Sequence, residues 1–193
     1  MTREARAVRR SPLEGLALPH TERVRAVALP FATRFALRGG PAVVAPVEAA
    51  FGIAPPTRPL ASASAGERAA LWQGPDEWLL IAEEEAGDLA AKLEAALGGV
   101  FHSLVNVSHR QTAIEVSGPA AARLLNAGVP LDLDLAAFPV GMATRTLLMK
   151  AEIGLWRREA GRFRIEVARS ISPYVAAVLE QSARDQDGDN PHR

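Results

Sequence analysis

The stretch Leu71-Trp-Gln-Gly-Pro-Asp-Glu-Trp-Leu-Leu-Ile81 decides the fold, because its pattern returns in altered form at Leu155-Trp-Arg-Arg-Glu-Ala-Gly-Arg-Phe-Arg-Ile-Glu-Val167. In the first copy, Leu71-Trp72 and Trp78 to Ile81 flank the turn-forming Gly74-Pro75-Asp76-Glu77, a hairpin signal. In the second, the chain turns around Ala160-Gly161 and returns through Phe163 to Val167. A strand and a short helix precede each hairpin. The first helix opens at Pro46 and stops at Gly52; the second opens at Gly118-Pro119 and stops at Gly128 and Pro130. A further helix follows each hairpin. Two β-α-β-β-α (ferredoxin-like) units predict an α+β fold with antiparallel sheets and helices packed on one face.

Outward from the hairpins, the chain divides into four parts. Residues 1–30 read as a partly ordered N-terminal arm. A first α+β lobe spans 31–100, a second spans 101–184, and a flexible polar tail takes 185–193. Within the lobes, Phe31 to Leu37 reads as a strand and Ala54 to Ser64, rich in Pro, Ser and Ala, as a loop. Leu89, Leu93 and Leu97 keep a helical spacing that Gly98-Gly99 ends. Ser103 to Val107 and Gln111 to Val116 are extended. Thr144 to Trp156 reads as one long strand paired with Arg162 to Ala168. Ser172-Pro173 opens the last helix, with Ser172 as N-cap and a buried stripe of Tyr174, Val178 and Leu179, Val175 alongside.

Composition excludes several function classes. The 193 residues carry 22 basic and 22 acidic side chains, and 48% are hydrophobic. A duplex-binding chain would show a basic excess gathered on one face, and here only Arg3, Arg6, Arg9 and Arg10 lean that way. No nucleic-acid role follows. There is no cysteine, which removes disulfides, thiolate metal sites and cysteine nucleophiles. The charged N-terminus lacks the apolar run of a signal peptide, and no segment is long and apolar enough to span a bilayer. The expectation is a cytoplasmic protein without a membrane association.

Candidate chemistry is sparse. His20, His102, His109 and His192 share no metal-ligand spacing, and no phosphate-cradling glycine loop is present. The sequence therefore offers no catalytic, cofactor-binding or metal-binding residue. Ser108-His109 invites a nucleophile-and-base reading, but adjacent side chains on an extended segment point to opposite faces. Ser108-His109-Arg110 reads instead as a strand end, or as a contact to a subunit or ligand through His109 and Arg110. Asp132 and Asp134 alternate with leucines and read as solvated, with a paired-acid site as the alternative. On the long strand, Leu147, Met149, Ala151, Ile153 and Leu155 share one face, and Trp156 falls on the other with Lys150 and Glu152. Trp156 is then either covered locally or an anchor buried by another subunit.

Six segments carry a resemblance. Asn106-Val-Ser-His-Arg-Gln-Thr-Ala113, Ser117-Gly118-Pro119, Leu125-Asn-Ala-Gly-Val-Pro-Leu-Asp132 and Arg145-Thr-Leu-Leu-Met-Lys-Ala-Glu152 resemble the successive motifs of sarcosine oxidase gamma subunits. Gly74-Pro-Asp-Glu-Trp-Leu-Leu80 and Arg169-Ser-Ile-Ser-Pro-Tyr174 fit the same family. The resemblance implies an aminomethyltransferase-like fold and a cytosolic heterotetramer with alpha, beta and delta subunits. Such assemblies oxidatively demethylate sarcosine to glycine with hydrogen peroxide and, with tetrahydrofolate, give 5,10-methylenetetrahydrofolate. It also implies that FAD, FMN, NAD, zinc and tetrahydrofolate belong to other subunits, and that this chain binds none. The expected role is thus that of a non-catalytic subunit supporting assembly, with His109, Arg110 and Trp156 as contact residues. A stand-alone folate-binding or aminomethyltransferase-like protein is the alternative, and an adaptor outside any oxidase is a third class.

Overall fold

A computed structural model describes residues 9–84 and 86–188; Arg3, Arg6, Glu85 and His192 lie outside the described residues. The first unit comprises β2 (Thr33–Gly39), α1 (Val44–Phe51), β3 (Ser62–Ala65), β4 (Arg68–Gly74), β5 (Glu77–Ala82) and α2 (Leu89–Ala96). The second repeats the order with β7 (Gln111–Ser117), α3 (Ala121–Asn126), β8 (Ala143–Leu148), β9 (Ala151–Glu159), β10 (Arg162–Ala168) and α4 (Ser172–Gly188). Between them runs β6 (His102–Asn106), and ahead of both lies β1 (Arg25–Ala28). Each unit forms an antiparallel five-stranded sheet, ordered β6-β2-β5-β4-β3 and β1-β7-β10-β9-β8. These are two ferredoxin-like lobes of an α+β fold. Their last strands come from different places: β6 closes the first sheet, whereas the second is closed by β1, from the opposite end of the chain.

The sequence reading placed no element before Phe31, and β1 is the correction. It is a short strand that Pro30 and Pro19 bracket, too brief for period-2 alternation to stand out. Its Ala26, with Val24 and Leu13, is nevertheless buried in the core of the second lobe. Gly118 makes this junction possible. Its φ is +119°, and a Cβ there would run into the carbonyl of Arg23.

Two further corrections fall at equivalent positions. The loop assigned to Ala54–Ser64 ends in β3, whose Ser-Ala-Ser-Ala sequence shows no apolar alternation. The single strand expected from Thr144 to Trp156 is two strands, β8 and β9, joined by a two-residue turn at Met149-Lys150. Met149 supplies the positive φ of that turn (+54°), a place where Gly or Asn is usual. The reversal moves Leu147 opposite Glu152, on the face away from Ile153 and Leu155. The last helix also differs. Its buried stripe is Val175, Ala176, Leu179 and Ala183, while Tyr174 is exposed. Ser172 does not act as the expected cap; its hydroxyl donates to the carbonyl of Arg169 at 3.0 Å. The helix also extends into the segment read as tail, as far as Gly188.

Packing follows from the strand parity. On the first sheet, Phe35, Leu37, Ala70, Trp78 and Leu80 face α1 and α2, where Val47, Phe51, Leu89 and Leu93 complete a core. On the second, Ile114, Val116, Ile153, Leu155, Phe163 and Ile165 face α3 and α4. The remaining face of each sheet meets the other: Ala69, Leu71, Leu79 and Ile81 pack against Ala143 and Trp156. The result is four layers, helices–sheet–sheet–helices. A short bridge between Ala61 and Met142 ties the β3 and β8 sides together.

Candidate functional site

The layer between the sheets holds the chain's buried charge. Arg34 on β2 is 1% exposed and Glu166 on β10 is 3% exposed. Arg34 donates through Nε at 2.7 Å and Nη2 at 3.3 Å to the two carboxylate oxygens of Glu166. Its Nη1 donates to the carbonyl of Ala32 at 3.1 Å, and Arg164 Nε reaches Glu166 Oε1 at 2.7 Å. The carboxylate is thus held by two guanidinium groups, which is the condition for burying ions at tolerable cost.

Ser108 belongs to the same layer and is buried. Its hydroxyl accepts from the Arg34 backbone N–H at 2.8 Å and donates to Asn106 Oδ1 at 2.6 Å. That oxygen is committed to ending the β2–β6 ladder. His109 and Arg110 follow in a turn and are exposed. Trp156, the third expected contact residue, is 5% exposed and packed between the sheets. Of the two readings left open by the sequence, the structure shows the indole covered by its own chain.

Asp132 and Asp134 do not converge on a shared site. Asp132 Oδ1 accepts from the backbone of Asp134, and Asp134 Oδ1 from that of Ala136, both at 2.8 Å. These are local turn bonds of the kind Asp favours. The loop they shape is fastened by a residue that sequence reasoning missed. Arg157 is 2% exposed, donates to the carbonyls of Leu133 (3.1 Å) and Phe138, and lies 4.5 Å from the Phe163 ring centroid. Burial pushes its guanidinium pKa down, with the Asp134 carboxylate opposing the shift. The charged repeat Arg157-Arg158-Glu159 gave no sign that one of these side chains turns inward.

A cleft of about 400 Å³ opens at one end of the inter-sheet layer, lined in part by Phe31, Arg68, Glu83, Trp156, Arg158 and Arg164. Its arginines are already engaged: Arg68 with Glu83 at 2.7 Å, Arg158 with Glu115 at 3.5 Å, and Arg164 with Glu166 at 2.7 Å. Glu83 is held below the usual carboxylate range, chiefly by the Arg68 hydrogen bond. Arg68 has Glu83 to itself, whereas Arg164 shares Glu166 with Arg34 and Arg158 shares Glu115 with Arg162. Among the described residues, no group of three His, Asp or Glu side chains comes together to hold a metal. No helix of the described residues is long and apolar enough to cross a membrane.

His102 is bound in a way that makes a pH prediction. Its Nδ1 lies 2.7 Å from the carbonyl of Val100 and its Nε2 lies 3.1 Å from Glu94 Oε2. A ring facing two acceptors bonds both only as imidazolium, so the Val100 carbonyl first, and then Glu94, raise its pKa. A raised folded-state pKa gives stability that is complete below the unfolded value of about 6.5 and is lost as pH rises through the folded value. The denaturation midpoint of the wild type should therefore exceed that of His102→Gln most below that pH, and the gap should close above it. A gap that grew as pH rose would refute the assignment.

Comparison with known proteins gives concordant results. The model of the sarcosine oxidase, gamma subunit family matches residues 37–185. A sarcosine oxidase subunit gamma from Arthrobacter sp. is 40% identical over 162 residues, covering 80% of this chain and 79% of that one. Its counterpart from Corynebacterium sp. (strain P-1) is 38% identical over 164 residues, with 80% and 79% covered. Among solved structures, a chain of the heterotetrameric sarcosine oxidase from Corynebacterium sp. U-96, in complex with pyrrole 2-carboxylate, superposes with a TM-score of 0.85. It is 32% identical, with 92% of this chain and 95% of that chain covered. The glycine cleavage system aminomethyltransferase T from Bartonella henselae gives a TM-score of 0.61 at 15% identity, covering 84% of this chain and 49% of the other, which shows a shared fold.

Proposed function

Because the chain belongs to the sarcosine oxidase gamma subunit family, we propose that it is a subunit of a sarcosine oxidase assembly and supports that assembly without itself carrying out chemistry. The observation that carries the reading is the match along nearly the whole chain to one component of a heterotetrameric sarcosine oxidase. The inter-sheet layer is consistent with a structural part: its buried carboxylate is held by two guanidinium groups, and its buried serine caps a strand. The partners are the alpha, beta and delta subunits. FAD, FMN, NAD, zinc and tetrahydrofolate reside in those subunits, and the assembly is cytoplasmic. Exposed His109 and Arg110 contribute to the contact surface, while Trp156 acts from within by fixing the two sheets against each other. Residues 31–100 and 101–184 act as one body across their shared layer.

The test is to coexpress the alpha, beta and delta subunits with and without this chain. The proposal expects that omitting it lowers the yield of flavin-containing assembly, while the assembly that does form keeps its turnover per flavin. Full yield without the chain would contradict a role in assembly. Saturable binding of folate by the isolated chain would favour the stand-alone aminomethyltransferase-like alternative.

A further inference from the structure

We propose that the outer edge of β6 receives an extended segment of another subunit, added as one more strand of the first sheet; this rests on the reading of the chain as an oxidase subunit. Four sheet edges exist, and three are already closed in part by the chain's own backbone. On β1, the N–H of Ala26 donates to Pro19 O at 2.7 Å. On β3, Ser62 N–H donates to Gly141 O at 3.0 Å. Beside β8, Ala143 N–H bonds Leu60 O and Met149 N–H bonds Gly128 O, both at 2.8 Å. The edge of β6 has no such backbone partner among the described residues.

Alternation in the ladder identifies the free groups. Thr33 and Gly39 donate their N–H groups away from β6, to Glu83 O and Asp76 O, so the odd positions of β2 serve the β5 side. Arg34, Ala36 and Arg38 then serve β6, and Val107 N–H duly donates to Arg34 O at 2.9 Å. In the observed register, Ala36 faces Val105 and Arg38 faces Ser103. Antiparallel pairing alternates bonded and non-bonded positions, so the N–H groups of His102, Leu104 and Asn106 point outward. An open edge is normally blunted by Pro, Lys, a bulge or a covering loop. From Phe101 to Arg110 there is no Pro or Lys. Instead Phe101 is 96% exposed and Val105 52% exposed.

Side chains around this edge specify the occupant. Unpaired backbone groups call for an extended backbone, and Phe101 and Val105 call for apolar side chains on one of its faces. His109 and Arg110, at the far end of the same stretch, are exposed and form no ion pair with another described residue, which calls for an acidic residue there. A second copy of β6 does not meet these needs. Phe101 to Arg110 contains no Asp or Glu, so self-pairing would leave Arg110 unanswered.

Residue-resolved amide exchange on the full chain, isolated and within the coexpressed assembly, tests the proposal. Ser103 and Val105 should be protected in both states. Leu104 and Asn106 should exchange freely in the isolated chain and slow by about tenfold or more in the assembly, the factor one net backbone hydrogen bond supplies. Val105→Lys combined with Phe101→Ser should lower the recovery of the chain with its partners and leave its own unfolding midpoint unchanged. An assembly that forms without new protection at Leu104 and Asn106 would overturn the β6 edge and leave the subunit reading standing. Protection already present in the isolated chain, together with a doubled mass, would make the occupant a second copy and overturn the proposal. Failure of the wild-type chain to join the other subunits would overturn the subunit reading, and the edge proposal with it.

Discussion

Glu166→Ala is expected to destabilise the isolated chain by about 3–5 kcal/mol, because it strands a buried guanidinium. Arg34 is 1% exposed and sits between two sheets, where water cannot replace the lost carboxylate. Its remaining bond, to the carbonyl of Ala32, does not neutralise its charge. Arg164 is less constrained, since it lines the cleft and can turn toward solvent. The loss should therefore come from Arg34 and be largely recovered in the double variant Arg34→Met, Glu166→Leu, which removes both charges and keeps the volume. Urea denaturation of the two variants checks this. A double variant as unstable as the single one would mean that the ion pair, rather than filled space, holds the sheets together.

Trp156→Ala is the second large effect, about 3–5 kcal/mol, the usual range for emptying a buried aromatic site. The indole packs in the inter-sheet cluster with Leu71, Leu79, Ile81 and Ala143, and has neighbours on both sheets. The sequence left open whether this residue anchors another subunit. An anchor of that kind would be exposed in the free chain, and its removal would weaken assembly while leaving the isolated chain's unfolding midpoint in place. Burial between the sheets gives the reverse order of events, with the isolated chain losing stability first. An unchanged midpoint in Trp156→Ala would contradict it.

Both lobes were legible in the sequence because Trp78 to Ile81 and Phe163 to Val167 are strongly apolar and each follows a turn marked by glycine. In each lobe, however, one strand of the same hairpin system did not stand out as an element: β3 reads as loop, and β8 reads as one strand with β9. β3 is made of serine and alanine, and β8 is separated from β9 by Met149-Lys150, a turn without the residues that signal one. β1 was missed for another reason: its pairing partner, β7, lies some ninety residues away, and no local pattern encodes a long-range pairing.

The candidate site was legible to a different degree. Exposed His109 and Arg110 follow from their place at a strand end. Trp156 could be put on the correct face of β9, but not assigned a neighbour, because the sheet that covers it belongs to the other half of the chain. Arg34, Glu166 and Arg157 carried no signal at all. A buried ion pair reads in sequence like any two surface charges, and only the juxtaposition of β2 with β10 reveals it.

The proposed function makes this chain a stoichiometric component of a sarcosine oxidase assembly. Native mass spectrometry of the assembly, purified through a tag on this chain after coexpression with the alpha, beta and delta subunits, puts this to the test. A single flavin-containing species is expected, with a mass that includes one copy of each of the four chains. Recovery of this chain alone, with the other three found together in a complete flavin-containing complex, would contradict it.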